Sequence, residues 1–217
     1  YLPAQVAIND ELWPILEEYV RKGGRLVIDA PGAWWDAQGR VLYTGKGSDF
    51  EKIFGAEIAN YQYSNNVPRL IGEHKFEGFI LELNPTTAKI LEKFQTGEPA
   101  VTENQYGKGS AIILATDASF SMQSPGNDFV ESWSLKHIMG ELESPYACEE
   151  GIVYRLAAPE ADHYFFINDE GPGKVNLDVK NYQYKSVTDP VSGETLEMGA
   201  PVELEGYSGR WLRFEKK

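Results

Sequence analysis

Carboxylates are the first residues in this chain whose chemistry merits testing, because two of them facing one bond can cleave a glycoside. Glu103, the pair Glu149-Glu150 and the pair Asp169-Glu170 are the candidates. All sit in turn-like or solvated strand contexts with no tryptophan beside them to seat a sugar ring, so a solvated surface is the preferred reading. A nucleophile on a sharp strand-to-helix turn would need Gly-x-Ser-x-Gly or Gly-x-Cys-x-Gly, and neither occurs. Cys148 lies far from any such turn and His74, His137 and His163 are scattered, which disfavours a catalytic triad. Asp162 and His163 are neighbours that a strand would point to opposite faces, so they make no metal pair. Tyr106-Gly107-Lys108-Gly109 lacks the Gly-Lys-Ser/Thr of a phosphate loop and reads as a hairpin turn. No pattern implies a cofactor.

Trp34 and Trp35 are the pair with most potential for recognition. Adjacent tryptophans on a loop at a strand's carboxyl end can stack on sugars or insert into a neighbouring subunit. Burial in the fold or an interface is preferred to a sugar platform, because large aromatics are mostly buried. Tyr43 shares the loop and joins them as a contact candidate. A second set, Tyr182, Tyr184, Tyr207 and Trp211, would serve a glycan only if exposed and coplanar, and core packing is the preferred reading there.

The elements that must position these residues are read from periodicity. Asn9 or Asp10 can cap a helix in which Leu12, Ile15, Leu16, Tyr19 and Val20 form one apolar face, with Gly23-Gly24 ending it. Residues 25–29 (RLVID) read as a buried strand broken by Ala30-Pro31-Gly32. Asp36 to Gly39 can turn a hairpin, and Asp49 to Phe54 can make a short helix ended by Gly55. Residues 57–68 read as irregular, 78–83 as a strand, 87–94 as a strand in preference to a helix, and 127–140 as a helix with Phe129, Trp133 and Ile138 inside. Residues 101–106 and 110–115 form the clearest hairpin. Beyond Ser144-Pro145 the pattern changes to short strands at 151–157, 163–168, 174–179, 184–187, 201–204 and 211–214, the spacing of a small antiparallel sandwich.

Composition narrows the classes of partner. Of the 217 residues, 42% are hydrophobic and 24% charged, as in an ordinary globular protein. No run approaches eighteen apolar residues, so no membrane-spanning helix is expected. Net charge is −13, and a division at Pro145 leaves −8 (12 minus 20) in front and −5 (8 minus 13) behind. Neither part hides a basic module, which argues against nucleic acid. The single cysteine rules out an intrachain disulfide and does not fix a compartment.

Four stretches carry a family resemblance. Residues 17–28 (EEYVRKGGRLVI) resemble the Tyr-Val-x-x-Gly-Gly-x-Leu-Val passage of the trimerisation domain of family-42 glycoside hydrolases, with Tyr1-Leu2-Pro3 similar to the strand end before it. Residues 36–41 (DAQGRV), with Asp36 and Arg40, resemble the family's Asp-Glu-x-x-Arg-Val loop, and residues 97–109 (GEPAVTENQYGKG) its Pro-Ala-Val-Thr hairpin. Residues 150–214 look like the small β-domain that closes such enzymes. The resemblance implies a class I glutamine-amidotransferase-like (flavodoxin-like) α/β layered domain over 1–145, whose first strands would precede Tyr1. An all-β antiparallel sandwich would follow over 146–217. It further implies a non-catalytic accessory region of a bacterial beta-galactosidase-like enzyme whose catalytic glutamates lie on an upstream barrel, so no catalytic residue carries over. The expected partner is a second copy of the chain, a trimer being favoured, with carbohydrate as a further contact. Trp34, Trp35, Asp36, Arg40 and Tyr43 are the expected interface or sugar-contact residues. The alternative is a carbohydrate-binding module of a polysaccharide-degrading enzyme.

Overall fold

The computed structural model describes residues 1–122, 128–141, 143–180 and 183–217, and the chain divides into two compact units, Tyr1–Glu141 and Leu142–Lys217. In the first unit, Asn9 accepts a hydrogen bond from the Glu11 N–H and so starts a short 3-10 turn, Asp10–Leu12. This runs into helix α1, Trp13–Arg21, with Pro14 in its first turn, where a missing N–H costs nothing. α1 buries Trp13 and Val20, while its Ile15 and Tyr19, with Leu12 just before it, remain exposed. The apolar arc is therefore wider than the core it meets, and half of it faces solvent. Strand β1, Arg25–Asp29, comes directly after Gly23-Gly24 and is buried from Leu26 onward.

Helix α2, Asp49–Phe54, is capped by Ser48 and stopped by Gly55, whose φ of 62° suits the residue without a side chain. Strands β2, Ala56–Ile71, and β3, His74–Pro85, form a long antiparallel ribbon. Strands β4, Lys89–Lys93, β5, Pro99–Tyr106, and β6, Gly109–Leu114, complete a sheet of order β1-β6-β5-β4. Leu81 N–H donates to Ala115 and Asp117 N–H to Phe79, which ties the ribbon to the chain leaving β6. Helices α3, Ala118–Met122, and α4, Asp128–Met139, end the unit. The Arg25 guanidinium donates to the His137 and Ile138 carbonyls, capping the negative end of α4, and pairs with Glu103 at 3.3 Å. The expected helix over 127–140 begins at Asp128, Asn127 lying outside the described residues.

The expected glutamine-amidotransferase-like layered domain is not found. Among the described residues strands predominate, and of the pairings in the four-stranded sheet only β1 with β6 is parallel. A parallel pair needs a crossover of a dozen or more residues, whereas β4, β5 and β6 succeed one another through short turns and must be antiparallel. The helix, Gly-Gly, buried-strand run is a local feature of α/β folds and is retained here, but it does not set the topology of the later strands. Residues 57–68, expected to be irregular, belong to β2, where bulges between Ile58 and Asn60 and between Ser64 and Arg69 interrupt the period-two signal.

The second unit holds strands β7, Tyr146–Glu149, β8, Ile152–Ala157, β9, Ala161–Asn168, β10, Gly173–Val179, β11, Tyr184–Thr188, β12, Thr195–Leu196, β13, Val202–Leu204, and β14, Ser208–Lys216. They pair antiparallel in two sheets, β12-β11-β14-β9-β8 and β13-β10-β7. Val153, Tyr164, Phe166, Val175, Val187, Leu204, Leu212 and Phe214 form one core. Asp162 is fully buried beside it, paired with Arg155 at 2.8 Å and Lys216 at 2.9 Å, and accepts the Tyr184 hydroxyl at 2.7 Å. Burial alone would raise its carboxyl, but the bonds from Lys216, Tyr184 and Arg155 outweigh that and hold it below the ordinary aspartate range.

These contacts set two testable outcomes. Gly109 starts β6 against the Gly24 and Val20 carbonyls, where a Cβ would collide with backbone that has no room to yield. Gly109→Ala is expected to lower unfolding free energy by about 3 kcal/mol in chemical denaturation. A group with a depressed folded pKa stabilises above its unfolded pKa, and that contribution is lost as pH falls through the folded one. Asp162→Asn should therefore cost about 2–3 kcal/mol at neutral pH, and the gap to wild type should close as pH drops below about 4. A gap independent of pH would remove the charged role of Asp162.

A candidate contact loop and the aromatic stack behind it

The loop leaving β1 is held from three sides. Residues 5–8 run alongside it, with Ala33 N–H donating to Gln5, Trp34 and Trp35 N–H to Val6, and Ile8 N–H to Trp35. The Tyr61 hydroxyl on β2 donates to the Ala33 carbonyl at 2.7 Å. Thr44 closes the far end, its hydroxyl exchanging hydrogen bonds with the backbone of Ile58. The loop's conformation is therefore imposed by the ribbon and the incoming chain.

Trp34 is the centre of an aromatic stack. Its ring lies parallel to Trp35 at 5.3 Å and to Tyr61 at 4.7 Å, with Phe79 edge-on at 5.6 Å. Trp34 is half-buried, its ring engaged in stacking within the fold. Trp35 is half-buried, with one face against Trp34. Burial raises the Tyr61 phenol, keeping it a neutral donor.

Asp36, Arg40 and Tyr43 come together differently. Asp36 is buried and accepts the Gln38 and Arg40 N–H groups, both at 2.9 Å, and the Arg40 guanidinium at 2.7 Å. The Arg40 N–H foremost, aided by its guanidinium and the Gln38 N–H, holds the Asp36 carboxyl below the usual range against a smaller opposing effect of burial. Asp36 is therefore the pin of the 36–40 turn, and Arg40 presents an outer edge to water. Tyr43 is 67% exposed, its ring lying across Gly45 and its hydroxyl donating to the Lys46 carbonyl. Asp36, Arg40, Val41 and Tyr43 share a depression of about 440 Å3 with Asp10, Trp13, Ser48, Asp49 and Phe50. Sequence reasoning found the tryptophans but missed Tyr61 and Phe79, which support them. The available signal was the two-residue spacing of Tyr61 and Tyr63 on β2.

The remaining candidates are engaged in other contacts or dispersed. Glu103 pairs with Arg25. Glu150, Asp169 and Glu170 line an open depression of about 520 Å3 in the second unit, all exposed, with Lys174 beside them paired to Glu203 instead. Tyr184 is buried, Tyr207 is 84% exposed, and Tyr182 lies outside the described residues. Trp211 is half-buried, donates to His163 and lies near-parallel to Phe165 with ring centroids 6.0 Å apart. Among the described residues no group of three His, Cys, Asp or Glu is placed to hold a metal, and no helix is long and apolar enough to cross a membrane. Two buried carboxylates were not anticipated. Asp29 anchors the Tyr1 hydroxyl and the Ala4 and Ser119 N–H groups, and Asp117 accepts the Phe120 N–H, so both hold backbone in place; burial raises both carboxyls. Trp34→Ala empties the centre of the stack and should cost about 3 kcal/mol in unfolding free energy, measured by denaturant titration.

Comparison with known proteins places this geometry. The beta-galactosidase trimerisation domain family matches residues 1–133. Beta-galactosidase Pbg of Clostridium perfringens is 25% identical over 91% of this chain and 30% of its own length. Beta-galactosidase LacA of Lactobacillus acidophilus is 29% identical over 46% of this chain and 16% of its own. Gan42B, a GH42 beta-galactosidase from G. stearothermophilus, superposes over 99% of this chain and 31% of its own, with a TM-score of 0.69 at 21% identity. The beta-galactosidase of Bacillus circulans sp. alkalophilus covers 98% of this chain and 32% of its own, with a TM-score of 0.70 at 13% identity, so these two likenesses speak to the fold alone. The chain spans about a third of the length of these full-coverage relatives. By the extent of the family match, the chain belongs to the beta-galactosidase trimerisation domain family.

Proposed function

We propose that this chain is the accessory, assembly-forming region of a larger beta-galactosidase-like glycoside hydrolase, and that it takes no part in bond cleavage itself. The family match over residues 1–133 carries this reading. The site chemistry supports it: Asp36, Asp29 and Asp117 hold backbone in place and Glu103 pairs with Arg25, so these carboxylates are engaged in structure. The assembly is a homo-oligomer, with three copies the expected number.

The contact is made by the loop after β1. Asp36 fixes the turn, Arg40 and Tyr43 stand out from it, and Trp35 backs it with one face against Trp34. A rigid loop carrying an aromatic and an arginine is suited to an interface, because little entropy is lost when it docks. A sugar bound at a neighbouring active site would meet the same loop through Tyr43, the most exposed of its aromatics, with the half-buried Trp34 and Trp35 behind it.

Light scattering across a concentration series tests the reading. The 24.3 kDa chain should shift toward three times its mass as concentration rises, and Tyr43→Ala and Trp35→Ala should each weaken association by roughly tenfold or more. A strict monomer at high concentration would overturn the assembly role.

A further inference from the structure

We propose that the outer face of the five-stranded sheet in the second unit is a carbohydrate-binding surface, on which Tyr154, Phe165 and Trp211 form a stacking row for a neutral glycan. The site lies wholly in the second unit and goes beyond the assembly reading of the first without depending on it.

An antiparallel sheet with one face on a core turns polar residues outward as a rule. Strands β8 and β9 break that rule. Val153, Tyr164 and Phe166 point into the core, while the alternate residues Ile152, Tyr154, Leu156, Phe165 and Ile167 are exposed on the opposite face. Tyr154 and Leu156 are 59% and 60% exposed. Together the five expose on the order of 500 Å2, at the upper end of the largest patch a monomer shows, a size often tied to function. Tyr154 lies opposite Phe165, and Phe165 opposite Trp211, so the three residues make one row across β8, β9 and β14. The row is about 10 Å long, two strand spacings, which suits a disaccharide. Trp211 is held in place, its indole N–H donating to His163 at 3.1 Å and its ring near-parallel to that of Phe165.

The surroundings select carbohydrate. Ile152 also lines the open depression of about 520 Å3, so the apolar face continues into the exposed Glu150, Asp169 and Glu170. Among the described residues none of these three carboxylates has an ion pair. On the other flank the face turns polar, with Arg213 and Glu215 on β14 and Ser186 on β11. A pyranose has an apolar C–H face to stack on a ring and hydroxyl groups at its edge to donate to carboxylates, so it fits an aromatic row between polar margins. A protein surface closing over the same area would desolvate those carboxylates and would need a cation against each. An anionic polymer is repelled by a segment whose net charge is −5 (8 minus 13 over residues 146–217).

Native affinity electrophoresis of the whole chain through gels containing β-1,4-galactan, galactomannan or dextran tests this, with circular dichroism confirming that each variant is folded. Galactan is included because of the proposed parent enzyme. Wild type should be retarded by at least one of the three. Tyr154→Ala should weaken that retention about tenfold, whereas Tyr154→Phe, which keeps the ring, and Leu135→Ala on α4 should preserve it. Trp211→Ala should weaken it further; should that variant fail to fold, the exposed Tyr154 carries the test. Mobility unchanged by all three polysaccharides would overturn the proposal, as would retardation that Tyr154→Ala leaves intact. An oligomer that Tyr154→Ala dissociates in light scattering would assign the face to a protein partner and overturn it as well. A monomer that binds glycan through Tyr154 would support the proposal and overturn the assembly reading alone.

Discussion

The first unit depends on one backbone-to-backbone contact, the seating of the β5–β6 turn against the end of α1. Lys108 N–H donates to the Arg21 carbonyl and Ser110 N–H to the Gly24 carbonyl, while Gly107 and Gly109 lie where any side chain would strike Arg21, Val20 or Gly24. Two glycine-containing passages more than eighty residues apart are thus halves of one joint. Closing it sets β1 beside β6 in parallel, from Arg25 opposite Ser110 to Asp29 opposite Leu114. With that register fixed, the chain leaves β1 at one place and in one direction, and the contact loop has its origin.

The joint also explains which parts of the fold were readable. The Gly23-Gly24 break and the Tyr106-Gly107-Lys108-Gly109 turn are visible because each uses glycine where the chain turns or approaches backbone, a requirement that leaves a mark on residue type, and the RLVID strand is visible as a short apolar run between them. The six short strands expected in the back segment each overlap a strand of the second unit, since one face of each is apolar and turn residues separate them. The layered architecture was misread because a helix leading into a buried strand is common to many topologies, and sheet order depends on connections that local pattern does not encode. The β2–β3 ribbon was hidden by two bulges, each of which flips the alternation that identifies a strand.

The candidate site shows a similar division. Trp34 and Trp35 were legible as an unusual pair, but which of their faces was free depended on Tyr61 and Phe79, brought in by a ribbon with weak signal of its own. The helical apolar face was legible as well, but not its division into buried and exposed halves. Periodicity reports that Leu12, Ile15, Leu16, Tyr19 and Val20 share a side; it does not report how much of that side the core can cover. Here the core takes Trp13 and Val20 and leaves Leu12, Ile15 and Tyr19 exposed.

That incomplete coverage bears on what the proposed assembly of an acidic chain would require. Long-range repulsion between copies grows with net charge and is only partly screened at physiological ionic strength, where the Debye length is about 8 Å. Attraction must then come from short-range burial of apolar surface, and it must act where local charge is low. Leu12, Ile15 and Tyr19 give the first unit an exposed apolar row, beside which Glu18 is paired with Arg21 and Lys22 while Glu11 has no ion pair. The contact loop contributes a different property. Its turn is pinned by Asp36 and its base by the aromatic stack, so its exposed residues approach a partner without first having to be ordered. The exposed helix row and the pre-ordered loop both originate in the glycine joint that fixes α1 and β1 relative to the sheet.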